Sequence, residues 1–433
     1  MKKKVVLFKQ NEFMILVRRY KKYMKKRMNK ETYKSINYFR YTPYDLLVIL
    51  YFAHKLLPAF GFYTPSVIYL ATFAMVFLMS VSSYTRDILI LIPFIFVSMM
   101  ESIDCLVGVK DSPVVITFYG ELQTLLFVMI ILKYTNNARR MEQRRLFNFI
   151  ICMYVITSVT SIIGWISYPQ ASRLLALGAD TEMYSTFTKM NIGSFEFVYE
   201  MVLLTPLFIG MLKTNKIKKS LGIFLIVLSG IVVVGSQYTT ALLLYCLTLI
   251  LLFPIKITPA KLIFIVSLEV LFVYFFPDLL SNLIFTAANN TDSNIVSERL
   301  NSIAETLSGN HADSIAMESR INVYDRALSA FIESYGLGTW SSGGAGGHSF
   351  IFDNMGVYGY FGIFMIIVFL KGVLKKCLKT FKNSDCYGYM LWSFIMAIIL
   401  MFVNPKANIV LLGSILPLFG LVMRQSEEDK KLH

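Results

Sequence analysis

Residues 343–370 read GGAGGHSFIFDNMGVYGYFGIFMIIVFL, and this stretch passes from a glycine-rich polar segment into a long apolar run. Seven of residues 343–362 are glycine, and the same segment holds His348, one of four histidines in the chain. From Ile351 to Leu370 the only charged residue is Asp353. An apolar run of about 20 residues has the length of an α-helix that crosses a bilayer. The stretch therefore predicts that a polar loop meets a membrane-spanning helix at this point.

The composition of the whole chain is that of a membrane protein. Of its 433 residues, 56% are hydrophobic and 16% are charged, with a mean hydropathy of +0.59, whereas a soluble domain carries about a quarter charged residues. Long apolar runs recur from about residue 45 to the C-terminus. The first 44 residues are basic and lack a small-residue cleavage site after a short apolar core, which argues against a removable signal peptide. We predict an all-α polytopic integral membrane protein.

The apolar runs divide the chain into about 12 predicted transmembrane helices. Residues 1–44 form a basic cytoplasmic or interfacial segment, 45–280 hold helices 1–9, 281–350 form a large outer loop with short helices, 351–423 hold helices 10–12, and 424–433 are a cytoplasmic tail. The predicted spans lie near residues 45–62, 66–82, 87–103, 114–132, 146–166, 194–212, 220–236, 239–253, 262–280, 351–370, 387–403 and 408–423.

Lysine and arginine determine the orientation. With the N-terminus in the cytoplasm, 34 of the 42 Lys and Arg residues fall inside and seven fall outside. This asymmetry predicts that both termini are cytoplasmic. The net charge of +15 is thus concentrated on one side of a membrane, which argues against nucleic acid as a partner. Residues 1–44 mix basic and apolar residues and are expected to lie on the anionic inner leaflet, with acidic cytosolic partners as the alternative.

Neither a metal nor a cofactor is expected from the residue pattern. The five cysteines are scattered without a CxxC pair, so they indicate neither a metal site nor a disulfide framework. Acidic residues form no paired-carboxylate loop in the predicted exposed segments.

Three of the few outer cations are candidates for binding an anion. Arg173 lies in the shorter outer loop, near 167–193, while Arg320 and Arg326 lie in an amphipathic helical pattern that also contains Tyr324. Guanidinium groups bind phosphate oxygens in bidentate fashion. The alternative is that these arginines are solvated on the surface of a helix. Arg320 and Arg326 are six residues apart and do not share one helix face.

The glycine-rich segment and His348 follow this helical pattern. Gly336 and Gly338 predict a helix stop and a tight turn. The later glycines would let backbone N–H groups approach a ligand, or they form only a linker. At neutral pH, the imidazole of His348 can act as a general base or bond an anionic leaving group, or it can be a structural hydrogen-bonding group. Glycines 356, 359 and 362 are predicted to form a small-residue face for helix packing.

Acidic residues at membrane depth are further candidates. Glu196 and Glu200 are four residues apart at the outer start of the predicted sixth span. Ionisable groups in a membrane are costly and are therefore functional candidates. Either they contact substrate, or they pair with Arg173 or Arg320.

Two ordered motifs resemble the bacterial O-antigen ligase and polymerase family. His348 and Ser349 are followed by nine residues, then Gly359, two residues and Gly362. Upstream, SRINVYDRALSAFIESYGLGTW at 319–340 is similar to the Ser-Arg…Ala…Gly-x-Gly block of that family. The motifs cover roughly 319–362, and the topology is similar over nearly the whole chain. The chain departs from the family at Gln237, where the family often carries an arginine, and in lacking an R-x10-G spacing from Arg320 or Arg326.

The resemblance implies a metal-independent glycosyltransferase with a membrane fold of the C type. Its substrates would be oligosaccharides on polyprenyl pyrophosphate, at the outer face of the bacterial cytoplasmic membrane, with a flippase and a chain-length regulator as candidate protein partners. By the same resemblance, His348 and Arg320 are candidate catalytic residues, and Arg173 matches an arginine of the other outer loop. The remaining candidate substrate-binding residues are Arg326, Glu196, Glu200, Tyr324, Gly338 and Ser349.

Three alternative functions are kept open. A ligase would transfer finished polymer to another acceptor, a flippase or other transporter would move lipid-linked oligosaccharide, and a membrane O-acyltransferase would also use a lone histidine. A polymerase of capsular or exopolysaccharide repeat units is the favoured function. Outer arginines suit a pyrophosphate better than an acyl donor, and no paired interrupted segments indicate a transporter.

Overall fold

The computed structural model describes a large part of the predicted membrane region. The described residues are 42–80, 92, 95, 126, 128–135, 140–177, 181–252, 282, 284–286, 288–290, 297, 301, 304, 315–341, 344, 349–382, 384–404 and 415–431. Over these residues all regular secondary structure is helical, and no strand occurs. The all-helical class predicted from the apolar runs is therefore confirmed for the described part of the chain.

The helices follow the apolar runs of the sequence. In chain order they are α1 Pro43–Leu56, α2 Pro58–Tyr63, α3 Ser66–Ser80, α4 Arg140–Ser167, α5 Ala171–Leu177, α6 Thr181–Lys189, α7 Phe195–Lys213, α8 Lys219–Ser236, α9 Thr239–Leu252, α10 Ile315–Glu333, α11 Phe350–Thr380, α12 Tyr387–Val403 and α13 Leu416–Lys431.

Four of these helices, α4, α7, α8 and α11, are long and apolar enough to cross a membrane. Shorter apolar helices occur at Val67–Leu78, Thr240–Leu251 and Tyr387–Val403. The predicted spans near 87–103 and 262–280 lie outside the described residues, apart from two helical positions in the first. The span near 114–132 is described only from residue 126. These apolar helices indicate a membrane-embedded protein.

The chain divides into two units, residues 1–47 and 48–433. In the first unit, the described residues begin with the cap of α1. The backbone N–H of Thr42 donates to the Asp45 carboxylate (2.9 Å), and the Asp45 N–H donates back to the Thr42 hydroxyl (3.1 Å). This reciprocal pair satisfies donors that the first turn of a helix leaves without intrahelical partners. Residues 1–41, including most of the predicted basic segment, lie outside the described residues.

Helix α7 is the central helix of the second unit. Within its most apolar window 72% of the residues are buried inside the protein, against 44% for each of the other three long helices. It packs against α8, α9 and α12. Pro206 interrupts its backbone hydrogen bonding, and the Ser393 hydroxyl of α12 donates to the nearby Leu203 carbonyl (2.6 Å). Such side-chain donors satisfy backbone groups where proline disturbs a membrane helix.

Contacts along α12 fix the directions of its two neighbours. Near the start of α12, Gly210 packs against the Tyr389 ring, and Ser393 bonds Leu203 one turn later, so α7 runs antiparallel to α12. At the end of α12, the Asn404 carbonyl accepts a hydrogen bond from the Phe350 N–H (2.8 Å). The first turn of α7 and the first turn of α11 therefore lie at the same end of α12.

The helices differ from the predicted spans in several places, and α4, for example, begins at Arg140 where the predicted span begins near 146. The span predicted at 45–62 is divided, because α1 ends at Leu56, and Pro58 restricts the preceding Leu57 to an extended backbone. The span predicted at 351–370 continues to Thr380 and is broken at Gly359. Helix α13 runs to Lys431, so residues predicted as a separate tail from 424 are a continuation of the helix.

Candidate functional site

Helix α11 is broken at Gly359, and the loop after α10 completes its backbone hydrogen bonds. Gly359 has φ 61° and ψ −144°, which no α-helix contains. Alongside the break, the N–H groups of Thr339 and Trp340 donate to the carbonyls of Gly356 (3.0 Å) and Val357 (2.8 Å). The Tyr360 N–H donates to the Gly336 carbonyl (2.8 Å). The loop thus replaces the hydrogen bonds that the helix loses, as a break in an apolar environment requires.

Close approach between two backbones explains several glycines of this segment. A Cβ at Gly359 would lie within 3.0 Å of backbone atoms of Gly336, Leu337 and Gly338, and one at Gly338 would meet the Val357 carbonyl and the Gly359 nitrogen. The small-residue face predicted at 356, 359 and 362 is confirmed as close helix packing at Gly356, where a Cβ would lie 2.8 Å from the Ala327 carbonyl oxygen of α10. At Gly359 the close neighbour is the loop after α10 and not a helix. Because Gly356 and Gly359 have no side chain, the loop after α10 can approach the backbone of α11 at these positions, and α11 changes direction at Gly359. The helix stop predicted at Gly336 is confirmed, because its N–H bonds the Phe331 carbonyl (2.8 Å).

Helix α10, which carries Arg320, Tyr324 and Arg326, packs along the first half of α11. Tyr324 packs against Phe352 with ring centroids 5.4 Å apart, and Phe331 packs edge-on against Tyr360 at 5.1 Å. The Arg326 side chain is exposed. Arg320 lies in the same helix, and its side chain is outside the described part of the structure. This packing places the exposed Arg326 side chain beside the first turns of α11.

Ser349 caps the start of α11. It is fully buried, its hydroxyl accepts from the Phe352 N–H (3.1 Å), and it donates to the Met401 carbonyl of α12 (3.3 Å). The hydroxyl's single hydrogen is therefore directed to the protein backbone in this arrangement. The neighbouring His348, the main catalytic candidate of the sequence, lies outside the described residues. Gly338 is likewise buried, and its N–H donates to the Ser334 hydroxyl (2.9 Å).

Arg173 belongs to the short helix α5, which Ser172 anchors. The Ser172 hydroxyl accepts from the Trp165 indole N–H (3.0 Å) and donates to the Gly193 carbonyl (2.7 Å). Its own carbonyl accepts from the Tyr238 hydroxyl (2.7 Å). These bonds tie α5 to the end of α4, the start of α7 and the turn between α8 and α9. The Arg173 side chain is not among the described ones, but its backbone is held beside the start of α7.

The two glutamates at the start of α7 differ in environment. Glu196 is exposed, whereas Glu200 is half-buried and accepts a hydrogen bond from the hydroxyl of the buried Tyr154 in α4 (2.7 Å). The sequence predicted that these acids contact substrate or pair with an outer arginine. For Glu200 the structure adds a partner that was not predicted, the Tyr154 phenol. No sequence signal singled out Tyr154 or Ser172, because both belong to common residue types inside long helical patterns.

The candidate residues fall into two groups at one end of the helical bundle. One group comprises α5 and the first turns of α7, with Arg173, Glu196 and Glu200. The other comprises α10, its following loop and the start of α11, with Tyr324, Arg326, Gly338 and Ser349. Since α7 and α11 both begin at the same end of α12, the groups share that end.

Two further observations bear on this site. Among the residues that the structure describes, no three His, Cys, Asp or Glu side chains are grouped as a metal ion would require. Comparison with models of protein families and with curated protein sequences finds no match to this chain.

Proposed function

We propose that this protein is a polysaccharide polymerase that joins polyprenyl-pyrophosphate-linked oligosaccharide repeat units at the outer face of the bacterial cytoplasmic membrane. In this proposal, the chain has 12 transmembrane helices, a membrane fold similar to that of C-type glycosyltransferases, and both termini in the cytoplasm. The glycosyl transfer is metal-independent and needs no cofactor. The membrane lipids surround the site, and a flippase and a chain-length regulator are its protein partners.

One observation carries this proposal. Helices that bear Arg173, Arg320 and Arg326 lie at the same end of α12 as the glutamates of α7 and the start of α11. This end of the bundle combines cationic and acidic groups with apolar helices. Such a combination suits a substrate that has a charged pyrophosphate, a polar saccharide and a polyprenyl chain. Guanidinium groups can stabilise the negative charge that develops on the pyrophosphate when its bond to the sugar breaks.

The proposed reaction is one displacement at the anomeric carbon of the donor saccharide. The arginines bind the donor pyrophosphate, and His348 accepts the proton of the attacking hydroxyl on the acceptor saccharide. A new carbon–oxygen bond forms to the acceptor, and the bond to the pyrophosphate oxygen breaks. The polyprenyl pyrophosphate leaves with the bonding electron pair. Single displacement predicts inversion at this carbon.

Product length in liposomes tests the proposal. Purified protein is supplied with polyprenyl-pyrophosphate oligosaccharide extracted from the producing strain, and the saccharides are separated by size. The wild type should yield a ladder of longer saccharides, His348→Ala should yield none, and Arg326→Ala should yield less. Lys371→Ala, which removes an exposed cation elsewhere in α11, is the matched control and should leave the ladder unchanged. A wild type without elongation contradicts the proposal.

One observation favours a second function. The break at Gly359 resembles the discontinuous helices that form substrate sites in membrane transporters. A transporter of lipid-linked oligosaccharide would move the substrate between leaflets without changing its length. In the same liposomes, transfer of unchanged saccharide across the bilayer would support this second function. A ligase, in contrast, would elongate nothing until a separate acceptor is added.

A further inference from the structure

Gln237 occupies the turn between α8 and α9 in a backbone conformation that is unusual for a residue other than glycine. Its backbone is left-handed, with φ 57° and ψ 26°, and its N–H donates to the Val234 carbonyl (3.2 Å). Glycine adopts this conformation without steric cost, whereas other residues are strained there. Residues held in such conformations cluster at functional sites. The presence of a long polar side chain at this turn therefore needs a reason.

The amide oxygen of Gln237 is buried and has no hydrogen-bond partner among the described residues. A buried polar atom without a partner is unfavourable, so most such atoms in folded proteins are bonded to protein, water or ligand. The oxygen is an acceptor and carries no full charge. It is suited to an O–H or N–H donor, and it would not attract the negatively charged oxygens of a pyrophosphate.

The neighbours of Gln237 place it beside the Arg173 helix. The next residue, Tyr238, donates its hydroxyl to the Ser172 carbonyl (2.7 Å), and its ring stacks on Tyr199 of α7 at 6.1 Å. Two residues earlier, Gly235 packs against the Trp165 ring, whose indole N–H donates to the Ser172 hydroxyl (3.0 Å). Of the residues that flank Gln237 in the chain, Tyr238 thus bonds Ser172 directly, and Gly235 packs against the Trp165 ring that bonds Ser172. Ser172 immediately precedes Arg173.

From this arrangement we infer that Gln237 is a sugar-binding residue, whose amide oxygen accepts a hydrogen bond from a hydroxyl of the saccharide attached to the pyrophosphate. The inference rests on the proposed function, in which Arg173 binds that pyrophosphate. The sugar next to the pyrophosphate is the part of the substrate that a group beside Arg173 would reach. Gln237 therefore contributes to which saccharide the site accepts.

Binding to two probes tests this assignment. The dissociation constants of the protein in nanodiscs are measured for polyprenyl-pyrophosphate oligosaccharide from the producing strain and for undecaprenyl pyrophosphate without sugar. Gln237→Met removes the acceptor while keeping a long unbranched side chain. It should weaken binding of the first probe about three- to tenfold, the effect of one neutral hydrogen bond. Binding of the second probe should not change.

The thermal midpoint separates this role from a structural one. Because the amide oxygen has no partner in the described structure, Gln237→Met should not lower the midpoint. Asn215→Met is the matched control, since Asn215 is the left-handed residue (φ 53°) before the opposite end of α8. It should leave the binding of both probes unchanged. Equal loss for both probes, no loss for either, or a lowered midpoint would overturn the assignment of Gln237. A wild type that binds neither probe would overturn the proposed function as well.

Discussion

At Gly359 the backbone has φ 61° and ψ −144°, where a side chain is strained, and the loop leaves no space for a methyl group. We expect Gly359→Ala to destabilise the protein by about 2 kcal/mol or more, from backbone strain and overpacking together. The measurement is the thermal midpoint of the purified protein, followed by loss of the monodisperse elution peak.

Gly222→Ala is the matched control for this prediction. Gly222 lies inside α8, and the atoms nearest to a Cβ there would be the side-chain atoms Leu212 Cδ1 (3.0 Å), Ile217 Cδ1 (3.1 Å) and Leu212 Cβ (3.1 Å), none of which is a backbone atom. These atoms can move, and alanine favours the helix, so the midpoint should change little. If both variants lose the same stability, the special backbone of Gly359 is not the cause.

The hydrogen bond from Tyr154 to Glu200 gives a second prediction for single residues. Tyr154→Phe leaves the half-buried carboxylate without this donor and should cost about 1–3 kcal/mol. Tyr168→Phe, an exposed tyrosine at the end of α4, should cost nothing measurable. Combining Tyr154→Phe with Glu200→Leu removes both polar partners and should recover most of the lost midpoint. The 2.7 Å distance implies that the two side chains are energetically coupled. A double variant that stays as unstable as Tyr154→Phe would contradict this coupling.

For elements, the position of α5 depends on one buried serine. Ser172→Ala removes the acceptor of the Trp165 indole and the donor to Gly193, so α5 and Arg173 should become less well placed. We expect a lower thermal midpoint, by about 1–3 kcal/mol in stability, and shorter products in the liposome assay. Ser185→Ala is the matched control, because the Ser185 hydroxyl only bonds the Glu182 carbonyl one turn earlier. Unchanged products from Ser172→Ala would contradict the role of α5.

The first and last residues of several helices could be predicted closely from the sequence, because local signals mark where these helices begin and end. Helices Phe195–Lys213, Lys219–Ser236 and Tyr387–Val403 lie within a residue of the predicted 194–212, 220–236 and 387–403. Charged residues and turns delimit these apolar runs. The division at Pro58 was missed, although the proline is a local signal. The break at Gly359 could not be predicted from helical spacing, because it depends on a loop about 20 residues earlier in the chain.

The same limit applies to the site. Arginines, glutamates and a histidine can be selected from sequence by their charge and rarity in membrane segments. Their partners cannot, since Ser172, Tyr154 and Gln237 are ordinary residues until distant helices meet them. The predicted topology puts the starts of α7 and α11 and the end of α12 on the outer side. The contacts between these helices follow from packing over about 200 residues of sequence, which periodicity does not encode.

At the scale of the whole molecule, the predicted topology can be tested by labelling. Single cysteines added at exposed Glu333, the last residue of α10, and at exposed Lys218, just before α8, should lie on opposite sides of the membrane. A membrane-impermeant maleimide should label Glu333→Cys in intact cells and Lys218→Cys only after permeabilisation. The parent chain, which contains the apolar-helix cysteines Cys152 and Cys246, gives the background signal. Labelling of both positions from one side would contradict the predicted orientation.

The interlocked backbones of the loop and α11 also determine how the protein can be cut and recombined. The Gly336 carbonyl and the Trp340 backbone N–H form hydrogen bonds with Tyr360 and Val357, so the end of the large loop is bonded to the backbone of the helix that follows it. Residues 281–350 expressed alone would lack those partners and should not behave as an autonomous domain. A chimaera with another protein of this fold would have to exchange residues 315–380 as one segment.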